Sequence, residues 1–199
     1  KKRKIFIRSV KYFVYKIRRM RLEERIQAQP HTIKQVIRFI MKKYNAKEIE
    51  HDDFYLDVLT GAYNRRFYEE KIKHQTTPAG IVMLDVDDFK IYNDTFGHDF
   101  GDRVLKMIVE HIKNSLRNQD KLIRYGGDEF IIYLPNIEIE DFYLIMQNIL
   151  ENIHHATIRR YESVQFSLSA GITMYQTGTI EEAVSLADHL LYHAKRKKN

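Results

Sequence analysis

Apolar residues keep a helical rhythm in the first part of the chain and a mixed one afterwards. In residues 5–20, Val10, Phe13, Val14 and Ile17 recur at helical spacing, with Lys11, Lys16, Arg18 and Arg19 between them. Pro30 breaks this segment, and Thr32 is placed to cap a second helix. Its apolar set is Ile33, Val36, Ile37, Ile40, Met41 and Tyr44, with Asn45 at its end. From residue 51 the pattern predicts helices over 65–74, 101–116, 139–153 and 180–195. Strands are expected at 80–85, a continuous apolar run after Pro-Ala-Gly, and at 164–173. Two more, 121–125 and 129–134, flank Gly126-Gly127 and read as a β-hairpin with a tight turn of positive φ. Strands and helices alternate around that hairpin, so the expected class is α+β, an α/β-type sandwich with a mixed sheet and covering helices.

Charge divides the chain near the same point. Residues 1–50 hold 16 Lys+Arg and 4 Asp+Glu, whereas residues 51–199 hold 17 and 23. The net +6 therefore belongs to a basic N-terminal quarter in front of an acidic domain, and the expected division is an arm, 1–50, and a catalytic domain, 51–199. The arm reads as amphipathic and helical, suited to anionic lipid or a partner helix, or else as a solvated linker packing on its own domain. An acidic main domain argues against a nucleic-acid partner; a basic binder confined to residues 1–43 would instead give a salt-sensitive gel shift lost with the arm.

Composition narrows the classes further. Hydrophobic residues are 44% of the chain, enough for a buried core, and cysteine is absent, which excludes disulfides, thiol nucleophiles and Cys-based zinc sites. No apolar stretch approaches the roughly 20 residues of a membrane span, and the first residues lack an apolar leader region. The expectation is a soluble or peripheral cytoplasmic protein, or the cytoplasmic part of a membrane-anchored one with its basic arm near the bilayer.

The residues that carry chemistry sit at strand ends. Asp85-Val86-Asp87-Asp88 follows the apolar run, and Asp128-Glu129 lies in the hairpin. Side chains alternate along an extended segment, so Asp85 and Asp87 share a face. Clustered carboxylates call for a hard cation, although Asp-Asp also occurs in ordinary turns. Gly126 and Gly127, without Cβ atoms, leave room for a base or phosphate, or simply make a good turn. Between strand and helix, Lys90 is a candidate phosphate contact and Asn93 offers a donor and an acceptor. Asp102 is either an acceptor for guanine N1–H and the 2-amino group or a cap for the helix that follows it.

Together these segments resemble the GGDEF family of diguanylate cyclases. Arg124-Tyr125-Gly126-Gly127-Asp128-Glu129-Phe130 carries the signature unaltered. Residues 57–66 are similar to the family's N-terminal motif, with Ala62 where Leu is usual, and residues 85–105 match its DxDxFKxxND…GHxxGDxxL block. Residues 167–171 and 187–195 resemble the later serine-glycine strand and terminal helix, so the likeness covers about residues 54–199.

The resemblance implies a mixed five-stranded sheet like the palm of nucleotide cyclases and polymerases. It implies condensation of two GTP molecules into cyclic di-GMP and two pyrophosphates, with one GTP on each domain of a homodimer. Carried over by position, Asp85 and Asp128 are metal ligands for Mg²⁺, or Mn²⁺ in its place, with the carbonyl of Val86 assisting. Glu129 is expected to bind metal or to take the 3′-hydroxyl proton. Asn93 and Asp102 match the guanine-reading pair, Phe89 and Lys90 lie beside the triphosphate, and Gly126 and Gly127 turn over the nucleotide. Arg117 and Asp120 form an RxxD inhibitory site for cyclic di-GMP, or an ordinary i, i+3 ion pair. Lys195 fits the family's lysine, but the usual Gly-Arg after it is missing or shortened to Lys198. The alternative function is a catalytically weak domain that binds GTP or cyclic di-GMP and signals by contact.

Overall fold

The eight residues of strand β2, Ala79–Val86, are all buried, because the strand lies inside the sheet and is covered on both faces. The structure, a computed structural model, describes residues 52–198, with side chains from 54 to 196. The basic arm with its two expected helices, and the side chain of Lys198, lie outside the described residues.

In chain order the elements are α1 (Asp52–Tyr55), β1 (Tyr63–Asn64), α2 (Arg65–Phe67), β2, α3 (Phe89–Phe96) and α4 (His98–Ser115). They continue with β3 (Lys121–Arg124), β4 (Glu129–Pro135), α5 (Ile139–His154), β5 (Leu168–Tyr175) and α6 (Ile180–Lys198). The sheet runs β1-β3-β4-β2-β5, parallel only between β1 and β3 and antiparallel elsewhere. It is the mixed five-stranded sheet that was expected.

Side-chain alternation sorts β2 into two cores. Val82, Leu84 and Val86 pack with Val104, Ile108 and Ile149 from α4 and α5. Ala79, Ile81 and Met83 face the other way, with Phe67 of α2 and Val184, Ala187 and Leu191 of α6. Asp85 therefore emerges on the α6 face, and β4 places Glu129 as its register partner. Helix α6 lies so close to β5 that a Cβ on Gly171 would run into the Ala187 carbonyl. Glycine here is what lets the helix dock.

Four local expectations change. The helix expected over 65–74 is helical only to Phe67 and then widens into a π-turn, Tyr68–Ile72. The polar stretch after β2 forms a helix of its own, α3, entered through Asp88 in the left-handed region at φ 57°. Helix α4 starts at His98, three residues before the expected start. The last strand begins at Leu168, since Val164 is tied into a turn by its N–H to the Tyr161 carbonyl. Among the described residues no helix is long and apolar enough to cross a membrane.

Candidate functional site

At the C-terminal end of β2 the chain opens a cleft of about 430 Å³. Its walls include Asp85, Val86, Phe89, Lys90, Asp128 and Lys195. The β2–β4 ladder explains why residues 43 positions apart in sequence meet here. Asp85 pairs with Glu129 at the end of the antiparallel register, and the Val86 N–H donates to the Asp128 carbonyl at 3.2 Å. Lys195 reaches the same point from α6, where it follows the buried Ala187 and Leu191 at helical spacing. Its Nζ lies 2.6 Å from Asp85 Oδ2.

The hairpin turn is held by Arg124. Its Nε and Nη2 donate to the Gly127 carbonyl at 3.0 and 2.7 Å, while Nη1 donates to Asp57 Oδ1 at 3.0 Å. Neither Gly126 nor Gly127 has positive φ, contrary to expectation. Four residues, 125–128, connect β3 to β4, so the turn does not need the left-handed pair. A Cβ on Gly126 would sit 2.5 Å from Glu129 Oε2, the far end of a flexible side chain. Gly127 is exposed, with open space where a side chain would stand.

Electrostatically the site carries surplus negative charge. Burial pushes the Asp85 carboxyl above the usual range, Lys195 pulls it back, and Asp128 and Asp87 push it up again. Glu129 is raised by burial and then by Asp85, Asp128 and Asp188. Asp87 lines the same cleft, where the Ser167 and Ser169 hydroxyls donate to its two oxygens at 2.6 Å each. It anchors β5 to the β2 end.

Asn93 and Asp102 lie on α3 and α4 and do not line this cleft. Asn93 packs against Gly101, whose absent Cβ leaves room for its amide. Asp102 is exposed inside α4, beyond the capping position, which is Gly97. The capping reading of Asp102 is thereby removed. Arg117 and Asp120 form a local ion pair: Nη2 donates at 2.8 Å to Oδ1 of a fully buried carboxylate, and also to the Pro135 carbonyl at 3.1 Å.

Among the described residues no three His, Asp or Glu side chains form a ready-made metal cage. The donor set nevertheless fits Mg²⁺, which needs one or two carboxylates and takes its remaining oxygens from water and phosphate. Lys195, already drawn onto Asp85, marks the point where positive charge is favoured.

The family model for the diguanylate cyclase GGDEF domain matches residues 54–199. This chain belongs to the GGDEF family. It is 32% identical over 177 residues to the diguanylate cyclase DosC of Escherichia coli K12, covering 84% of this chain and 38% of that protein. The chain thus spans about two fifths of the length of this curated relative. Among solved structures, the GGDEF domain of TpbB (YfiN) from Pseudomonas aeruginosa is 34% identical with a TM-score of 0.64, covering 71% of this chain and 89% of that one. A microbial GGDEF domain solved in a study of its interaction with cyclic di-GMP is 31% identical, with a TM-score of 0.62 and coverage of 73% and 93%. The palm-like α+β fold agrees with these structures.

Sequence reasoning named the acidic residues of the cleft but gave no part to Arg124, Asp57, Ser167 or Ser169. All four stand inside the motifs that carried the resemblance, and their signal was position alone.

Proposed function

We propose that this domain condenses two GTP molecules into cyclic di-GMP and two pyrophosphates, as a homodimer with one GTP on each protomer. The observation that carries this reading is the convergence of Asp85 and Asp128 on one cleft with Lys90 and Lys195. Phosphoryl transfer depends on positioning and charge neutralisation, and these four side chains supply both. Asp85, Asp128 and the Val86 carbonyl would hold Mg²⁺, or Mn²⁺ in its place, with Glu129 as a further carboxylate at the same end of the sheet. A divalent ion bound there neutralises triphosphate charge and makes the 3′-hydroxyl more acidic.

The remaining steps fall to the chain's own residues. Lys90 and Lys195 orient phosphate oxygens, with Phe89 packed beside them. The open space over Gly127 admits the nucleotide. Asn93 and Asp102 bind the guanine edge, which presents N–H donors to a carboxylate where adenine would present a lone pair. The 3′-oxygen of one GTP bonds to the α-phosphorus of the other as the bond to pyrophosphate breaks and the hydroxyl proton passes to water or to the Glu129 carboxylate. Two such transfers close the ring.

Cyclic di-GMP itself is proposed to return as inhibitor at Arg117 and Asp120. Strand β4 would separate that site from the cleft, because its seven residues span about 20 Å. The basic arm is proposed to lie near a membrane or a partner helix.

The test is GTP turnover by the purified chain with Mg²⁺, with product identified by mass spectrometry. The expected result is cyclic di-GMP, with pyrophosphate release rising more than linearly at low protein concentration. GTP binding without any turnover would replace this reading with that of a binding module.

A further inference from the structure

The outer face of α6 carries a second feature unrelated to the cleft. His189 and His193 are both exposed, and their Nε2 atoms lie 3.0 Å apart. The rings are 4.5 Å apart and nearly perpendicular. They stand one helical turn apart, on the side of α6 away from the buried Ala187 and Leu191.

At this separation one imidazole must donate its Nε2–H to the other, so each pair shares a single proton between two lone-pair nitrogens. A metal ion set to one side of the N–N line can displace that proton and take both lone pairs. With metal–nitrogen bonds of about 2.0–2.1 Å, nitrogens 3.0 Å apart subtend an angle of about 94° at the metal. That is close to the right angle of tetragonal and octahedral ions and narrower than a tetrahedral one.

We propose that His189 and His193 form a chelating site for a divalent late transition ion, with Cu²⁺ preferred over Ni²⁺ and both over Zn²⁺. The order follows from the angle and from the intrinsic preference of imidazole ligands. Two imidazoles leave the other positions for water. The site is distinct from the nucleotide cleft in position and chemistry: nitrogen donors select against Mg²⁺, and the carboxylate cleft selects for it. Bound there, the ion staples two successive turns of the helix that presents Lys195.

Calorimetric titration of the full, tag-free chain with Cu²⁺ and with Ni²⁺ tests the site. One equivalent should bind, and His189→Gln or His193→Gln should each weaken binding by about 10²-fold, the usual worth of a second tethered ligand. Both residues are exposed, so the variants should keep the wild-type circular dichroism spectrum. His154→Gln, which removes one of two adjacent histidines at the end of α5, should leave the affinity unchanged. Electron paramagnetic resonance of the Cu²⁺ form should show coupling to two nitrogens that falls to one in either variant. Equal affinity of the wild type, H189Q and H193Q would overturn the proposal, as would the absence of a bound equivalent.

Discussion

Lys195 places its ammonium 2.6 Å from the carboxylate of Asp85, joining the last turns of α6 to the end of β2. Side chains 110 positions apart in the sequence thereby meet over the cleft. The lysine offsets the repulsion that Asp128 and Asp87 exert on Asp85. Lys195→Met should leave a folded protein whose GTP turnover falls by more than about tenfold, the scale of one lost charge-assisted contact of about 1.5–3 kcal/mol. Steady-state kinetics with circular dichroism as the folding control checks this, and unchanged turnover would remove Lys195 from the site.

Asp102 should govern which purine is accepted. It is exposed within α4 and free of any capping duty. A carboxylate facing guanine donors loses about 1–3 kcal/mol when its partner becomes an acceptor, equivalent to about 5- to 150-fold in selectivity. Asp102→Ser should lower the preference for GTP over ATP by that order. Product analysis with mixed nucleotides reads the result, and undiminished selectivity for GTP would contradict the assignment.

Asp57 predicts a specific acid limit to stability. Burial alone would raise its carboxyl, but the Thr60 hydroxyl and N–H and the Arg124 guanidinium together hold it below the usual range. A carboxyl depressed in the folded state stabilises the fold above its unfolded pKa, near 3.9, and that contribution disappears as pH falls through the folded value. The Tm gap between wild type and Asp57→Asn should be full at pH 6 and shrink below about pH 4. A gap that stays constant down to pH 2 would refute it.

Gly171 tests the docking of α6. Any Cβ there meets the Ala187 carbonyl, which is backbone and cannot swing aside. Gly171→Ala should cost about 1–3 kcal/mol, lowering Tm by about 2–12 °C, and should also reduce turnover because Lys195 moves with the helix. Thermal denaturation and kinetics on the same sample report both effects.

Arg117→Ala should relieve inhibition by added cyclic di-GMP. The same change strips the fully buried Asp120 carboxylate of its side-chain donor, so Tm should fall as well. Initial rates measured with and without product separate the two consequences. Wild-type rates that ignore product would show that the pair is only structural.

Much of the fold was legible because β2, β4, α4 and α5 announce themselves by long apolar runs or strict helical spacing. Helix α3 was not, since Phe89–Phe96 mixes polar and aromatic residues and begins from a left-handed Asp88. The two-residue strand β1 is too short for any periodicity to register. The π-turn after Phe67 keeps enough of the helical rhythm to pass as a plain helix. In the site, Asp85 and Asp128 were identifiable from their motifs, but their meeting depends on the β2–β4 register. The serines that hold Asp87 and the double role of Arg124 required the fold, because each partner is distant in sequence or is a backbone carbonyl.

The central claim is that Asp85 and Asp128 together grip a cation-bound GTP triphosphate. The most direct measurement is Mg²⁺-dependent conversion of GTP by wild type, Asp85→Asn and Asp128→Asn at equal protein concentration. Wild type should make one cyclic di-GMP for every two pyrophosphates, and each variant should fall by about 10²-fold or more while keeping its fold. Wild-type turnover in either variant would contradict the account.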